Sequence, residues 1–188
     1  MQPRIADTEW PSHIWARIAG AAGIFAIIAS LVDRSAAWVH ELAPLNVVTA
    51  RSIAHILDSL GVNCQRELAT LVHPSGFGYE IGFACTGVIP AGLLATAILA
   101  AGGGMRARVW GAASGVVGAL LLNLIRLVSL FYIGVLAPRF FAAAHFVVWQ
   151  ALTVLFVAGF FYVWKRKACA PGNRSDRCYI PQHVALRE

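Results

Sequence analysis

Three side chains of types that occur in catalytic sites lie in or beside the apolar stretches of this sequence: Cys85, Arg126 and His145. A thiol whose proton passes to a neighbouring imidazole becomes a thiolate nucleophile near neutral pH. A guanidinium is always charged, and it can hold either a developing oxyanion or a substrate carboxylate. If the fold brings them together, these residue types favour nucleophilic attack on a carbonyl carbon.

Arg126 is the residue whose position most needs an explanation. It lies in the longest apolar stretch, Val109–Leu136, and no Asp or Glu occurs anywhere from residue 81 to residue 175. A charge at membrane depth costs on the order of several kcal/mol, so such a residue indicates a partner or a chemical role. Asn123 stands one turn earlier on the same predicted helix face, where it can hydrogen-bond a substrate or Arg126.

Cys85 stands where a membrane helix is predicted to begin. The free amide groups and the dipole of a helix N-terminus lower the pKa of a nearby thiol. Each residue also has a simpler interpretation by itself. Cys85 can be an inert buried thiol, which is what we expect of Cys64. His145 can be an interfacial residue, and Arg126 can bind a lipid phosphate. Only their combination favours a catalytic site.

The composition indicates an integral membrane protein with one helical bundle. Of the 188 residues, 59% are hydrophobic and 13% are charged, whereas soluble domains have about 25% charged residues. The net charge of +6 does not indicate nucleic-acid binding, because the basic residues cluster at the ends of the apolar segments.

Four apolar segments predict an all-α fold, a bundle of four transmembrane helices over about residues 14–32, 81–101, 109–136 and 146–164. Residues 1–167 are thus expected to form one membrane catalytic domain, and residues 168–188 a disordered cytoplasmic tail. A cleaved signal peptide is the alternative interpretation of the N-terminus, but Asp7 and Glu9 count against it.

The distribution of basic residues predicts the topology. The link Gly102–Arg108 has two Arg and no acid, and three basic residues follow Trp164, so both termini are expected in the cytoplasm. Cys85 and His145 then begin their helices at the outer surface. Arg126 lies roughly 25 Å along a helix that starts inside, which puts all three at the outer edge of the membrane.

The long outer link, Asp33–Glu80, is expected to be partly ordered. Apolar residues at helical spacing predict an amphipathic helix that Gly61 ends, and its apolar face contains Val48, Ile53, Ile56, Leu57 and Leu60. Two short strands, Glu67–Val72 and Tyr79–Ala84, are predicted around the turn-rich segment Pro74–Gly78. An irregular loop is the alternative.

The sequence gives no reason to expect a cofactor or a metal. Cys169, Cys178 and His183 share the C-terminal tail, but their spacing matches no zinc site. No Gly-rich phosphate loop and no HExxH motif occurs.

The order Cys-Thr-Gly, then Asn-x-x-Arg, then His on successive membrane helices resembles the exosortase/archaeosortase family of membrane transpeptidases. The matching segments are Phe83–Val88, Asn123–Leu127 and Ala144–Phe146, and the resemblance covers roughly residues 60–165. Larger family members have more helices, so this chain is most similar to the small exosortase H type.

The resemblance implies a cysteine transpeptidase or peptidase of the bacterial inner membrane, with its active site facing outward. Its partners would be exported proteins that end in a short motif, a transmembrane helix and a basic tail, together with membrane lipids but not nucleic acid. By this resemblance, Cys85 is the nucleophile, Arg126 stabilises the tetrahedral intermediate, and His145 is the general acid and base. The resemblance also implies that Asn123, Thr86 and Gly87 are substrate-binding or supporting residues. The alternative is a non-enzymatic membrane subunit that binds an anionic lipid or ligand through Arg126.

Overall fold

The computed structural model describes residues 36–101 and 104–168, and singly residues 20 and 23. The predicted first span, residues 14–32, and the tail after residue 168 lie outside the described residues. The elements, in chain order, are helix α1 (Ala36–Ser59), strands β1 (Gln65–Glu67), β2 (Thr70–Val72) and β3 (Gly78–Glu80), a 3₁₀ turn (Phe83–Cys85), and helices α2 (Val88–Ala100), α3 (Met105–Leu136) and α4 (Pro138–Ala168).

Helix α1 is the predicted amphipathic helix, but it is longer than its pattern suggested. It begins at Ala36 and continues through Pro44. Ile53 and Leu57 are completely buried against the sheet and α3, whereas Val48 and Leu60, expected on the same face, are more than half exposed. The buried stripe is therefore narrower than predicted, since only the positions that face the sheet and α3 are covered.

The three strands form one antiparallel sheet in the order β1-β2-β3. The pair β2–β3, with Leu71 opposite Tyr79, is the predicted hairpin. The prediction of one strand over Glu67–Val72 is wrong, because the chain reverses at Leu68, which has a φ of 53°. A leucine in this left-handed conformation costs about 1–2 kcal/mol. Leucine is therefore rarely found in such a turn, and its presence in the sequence does not indicate one.

Helix α2 is shorter than the predicted span over residues 81–101. Ile81 still belongs to the sheet, since its N–H donates to the carbonyl of Ala69 at 3.0 Å, and the 3₁₀ turn follows before α2 begins at Val88. Thirteen helical residues extend about 20 Å, which is less than the 30 Å of a hydrocarbon core. By itself, α2 is therefore shorter than a typical membrane span.

Helices α3 and α4 are long and apolar enough to span a membrane, with 32 and 31 residues. Val117, Leu121 and Ile125 are each more than half exposed and form a stripe along α3 at a spacing of four residues. Such a stripe suits contact with lipid better than contact with water. On the opposite side of α3, Leu94 and Ile98 of α2 are fully buried.

The described part of the chain is thus mostly helical, with two helices that can span a membrane and a small sheet. The expected helical character is confirmed, and the outer link forms a small sheet of three strands where a two-stranded hairpin was predicted. The predicted bundle of four transmembrane helices is not confirmed, because α2 is short and residues 14–32 lie outside the described residues.

Candidate active site

Cys85 ends the 3₁₀ turn that connects the sheet to α2. Its own N–H donates to the carbonyl of Gly82 at 2.9 Å. The hydroxyl of Thr86, which is buried, donates to the carbonyl of Phe83 at 2.7 Å. These bonds close the turn on both sides of the cysteine, so the thiol is carried by an ordered backbone rather than by a loose loop.

Gly87 and Asn123 join this turn to α3. Gly87 has a φ of 78°, a left-handed conformation that favours glycine, and a Cβ at this position would lie 2.8 Å from the Cβ of Asn123. The side-chain amide of Asn123 donates to the carbonyl of Cys85 at 2.8 Å. Asn123 therefore supports the backbone of the cysteine, and the absence of a side chain at Gly87 makes this close approach possible.

His145 lies beside the thiol. Its Nε2 is 3.8 Å from the Sγ of Cys85, although the two residues are 60 positions apart. This is a long hydrogen-bond distance for sulfur, and the hydrogen bond between a nucleophile and its base is often long in an unliganded site. His145 belongs to a π-helical segment, Ala144–Val148, inside the irregular first part of α4, and such segments frequently occur at functional sites.

Arg126 is only 9% exposed and lies one turn after Asn123 on α3. Among the described residues, its Nε has no hydrogen-bond partner. Its charge acts on the thiol, since it lowers the pKa of Cys85. A buried cation whose charge acts on a nucleophile is suited to bind an anion that the substrate supplies or develops.

The electrostatics of Cys85 differ from the expectation for a helix N-terminus. Cys85 precedes α2 and lies outside the membrane-spanning helices. Burial raises the pKa of its thiol, and this effect exceeds the lowering by Arg126 and by the backbone hydrogen bond from Gly82. The prediction of a lowered pKa is therefore wrong. A thiol of this kind is protonated at neutral pH and has to give up its proton as it reacts, which makes the adjacent imidazole important.

Tyr79 and Phe141 are two site residues that the sequence analysis did not identify. The hydroxyl of Tyr79 donates to the carbonyl of Leu127 on α3 at 3.1 Å. Burial raises the pKa of Tyr79 far above its ordinary value, so the hydroxyl remains a donor. The ring of Phe141 contacts Tyr79 and stacks on His145. The alternation of residues in β3, which directs Tyr79 to the inner face, was the available signal.

The structure thus brings His145 and Asn123 into contact with Cys85, and the charge of Arg126 lies close enough to lower the pKa of the thiol. Thr86 and Gly87 shape the turn rather than offering free polar groups, because the Thr86 hydroxyl is used internally. Within residues 36–101 and 104–168, no group of three His, Cys, Asp or Glu side chains is arranged to hold a metal ion. Comparisons of the chain with models of protein families, with curated proteins and with solved structures gave no match.

Proposed function

We propose that this protein is a membrane cysteine transpeptidase or peptidase of the exosortase type, which cleaves C-terminal sorting signals of exported proteins. The observation that carries the proposal is the 3.8 Å contact between the Sγ of Cys85 and the Nε2 of His145. A nucleophile and a base from two distant elements are in contact, and the charge of a buried guanidinium, whose Nε has no hydrogen-bond partner among the described residues, acts on the nucleophile.

In the first step, the thiol proton of Cys85 passes to Nε2 of His145 as Sγ attacks the scissile carbonyl carbon. The carbonyl oxygen becomes an oxyanion, which Arg126 stabilises. As the tetrahedral intermediate collapses, the C–N bond breaks and the imidazolium protonates the departing amine. The acyl group remains on Cys85 as a thioester.

In the second step, an acceptor resolves the thioester. An amine or a water molecule attacks the carbonyl carbon and gives its proton to His145, and the C–S bond then breaks with release of the Cys85 thiolate, which recovers the proton. An amine gives transpeptidation, and water gives hydrolysis. Because Arg126 and His145 belong to the two long apolar helices and Cys85 contacts both of these helices, a substrate with its own transmembrane helix is held beside the thiol in the same membrane.

The proposed location is the bacterial inner membrane, with both termini in the cytoplasm and the site facing outward. Support comes from the basic residues: Arg106 and Arg108 start α3, and Lys165–Lys167 end α4, so the same end of the α3–α4 pair carries the positive charge. Cys85, which contacts Asn123, and His145 both lie away from this basic end, in the other half of the pair.

The test is cleavage of a reporter that carries a C-terminal motif, a transmembrane helix and a basic tail, in membranes with equal amounts of each variant. We expect Cys85→Ser to abolish cleavage, because a serine hydroxyl is far less acidic than a thiol. Cleavage of the reporter by Cys85→Ser at the wild-type rate would exclude the proposed cysteine peptidase activity.

A non-enzymatic protein that binds an anionic lipid or ligand is the second candidate, favoured by the Nε of Arg126, which has no hydrogen-bond partner in the described part of the chain. Arg126→Lys separates the two. Loss of one oxyanion donor costs roughly 100- to 1000-fold in rate, and the ammonium of lysine cannot reproduce the planar guanidinium. A site that only attracts an anion retains most of its affinity with lysine. Near-normal cleavage by Arg126→Lys would therefore remove Arg126 from the catalytic mechanism.

A further inference from the structure

A catalytic imidazole needs a group that fixes its orientation, and a carboxylate usually has that role. This chain has no Asp or Glu from residue 81 to residue 175. The nearest acid before that range, Glu80, is exposed and adjacent in β3 to Tyr79, whose side chain faces inward, so the two side chains point to opposite faces of the sheet. Within residues 36–101 and 104–168, His145 contacts the thiol of Cys85 and aromatic rings but no carboxylate, so we look to the rings for its orientation.

Two rings contact His145, both from α4. The Phe141 ring lies parallel to the imidazole, with 6° between the planes and 5.9 Å between the centroids. The Phe146 ring approaches edge-on at 4.6 Å, but Phe146 is 71% exposed and has no described partner that holds it. Phe141 is the half-buried member of the pair, so it is the ring that can restrict the imidazole.

Phe141 is itself held by the sheet. Its ring lies 5.5 Å from the Phe77 ring and 5.8 Å from the Tyr79 ring. Both of these rings contact Phe131 of α3, which is completely buried. The hydroxyl of Tyr79 is bonded to the α3 backbone as well. An unbroken series of packed rings therefore connects the rigid part of the fold to the histidine.

We propose that Phe141 is the positioning residue of His145, and that its stacked ring replaces the orienting carboxylate by holding the imidazole plane so that Nε2 faces the thiol of Cys85. The inference rests on the proposed function for its catalytic consequence, but the contact with Cys85 can be tested without any substrate. Replacement of Phe141 by a non-aromatic residue retains the side chains of Cys85, Arg126 and His145 and removes the stacked ring.

The first experiment measures alkylation of Cys85 by iodoacetamide at neutral pH, in purified protein whose Cys64, Cys169 and Cys178 are replaced by Ala or Ser. His145→Ala defines the rate without the imidazole. We expect Phe141→Leu to approach that rate, on the order of 10-fold or more below the parent, since misplacing a reacting group by about 1 Å can cost roughly 100-fold. Phe141→Tyr retains the ring and should react like the parent.

Phe140→Leu is the matched control. Phe140 is the preceding residue, but it is 53% exposed and contacts Arg139 rather than the site. Its replacement should leave the alkylation rate unchanged. Thermal unfolding in detergent checks that each variant is folded, and Phe141→Tyr provides the result if Phe141→Leu does not fold.

An alkylation rate for Phe141→Leu that equals the parent rate, or a rate for Phe141→Tyr as low as that of His145→Ala, would overturn the inference. In the reporter assay, Phe141→Leu should lower kcat and leave KM unchanged, because no substrate contact is removed. If the parent cleaves no reporter, the proposed function fails, whereas the alkylation rates still decide the role of Phe141.

Discussion

Gly87→Ala should be among the most damaging single-methyl additions in the described part of the chain. Two separate penalties coincide at this residue. Its φ of 78° is a conformation that L side chains rarely adopt, and the new Cβ would lie 2.8 Å from the Cβ and the Cγ of Asn123. Because Asn123 also supports the carbonyl of Cys85, any movement that relieves the clash disturbs the proposed nucleophile.

The magnitude can be estimated in parts. The left-handed conformation costs a non-glycine residue about 1–2 kcal/mol. Overpacking against a side chain that is fixed by a hydrogen bond adds about 1–3 kcal/mol. The free energy of unfolding should therefore fall by about 2–5 kcal/mol. The reduced entropy of the unfolded chain, a gain of about 0.4–1 kcal/mol for a Gly→Ala change, is common to every such variant.

Two other glycines separate these contributions. Gly76 has a φ of 88° with nothing within 4 Å of an added Cβ, so Gly76→Ala reports the conformational penalty alone. Gly82, on the other side of the Cys85 turn, has a φ of −80° and equally open space. Gly82→Ala should therefore be neutral or slightly stabilising. Denaturant unfolding in one detergent measures all three variants.

The expected order of stability is Gly82→Ala, then Gly76→Ala, then Gly87→Ala. If Gly76→Ala and Gly87→Ala lowered the free energy of unfolding equally, the side chain of Asn123 would move aside at little cost and the contact would not be tight. Gly87→Ala combined with Asn123→Gly removes both the Cβ and the Cγ that the new methyl group would meet, so the pair should lose less stability than the sum of the single losses. An additive double mutant would refute the packing argument.

The remaining predictions concern access to the thiol and its protonation. An impermeant maleimide applied to spheroplasts should label Cys85 and spare Cys169 and Cys178, and the opposite pattern would reverse the proposed topology. Because burial raises the pKa of Cys85, its alkylation should continue to accelerate at pH values above about 8.5, where an ordinary thiol levels off. Arg126→Gln removes the charge that lowers this pKa, so it should move the midpoint of the alkylation profile to still higher pH. If the pH profile of Cys85 alkylation in the parent protein had its midpoint below that of a free thiol, the raised pKa of Cys85 would be contradicted.

Part of the fold follows from local sequence properties. The apolar runs that became α3 and α4 are recognisable because helix formation across a membrane depends on consecutive residues. The turn at Pro74–Gly78 likewise predicted the β2–β3 hairpin, since glycine and proline favour turns within a few residues. By contrast, the reversal at Leu68 and the late start of α2 depend on partners elsewhere in the chain, and no local pattern indicates them.

The candidate site divides in the same way. The sequence by itself determined that Arg126 is exceptional, because an uncompensated charge in an apolar run is unfavourable in any fold. Only the tertiary structure decided that the thiol of Cys85 meets Nε2 of His145, since the packing of elements 60 residues apart sets that distance. The raised pKa of the thiol and the stacking of Phe141 are also tertiary properties. Burial and ring contacts arise from neighbours in space, and these neighbours are not encoded by spacing along the chain.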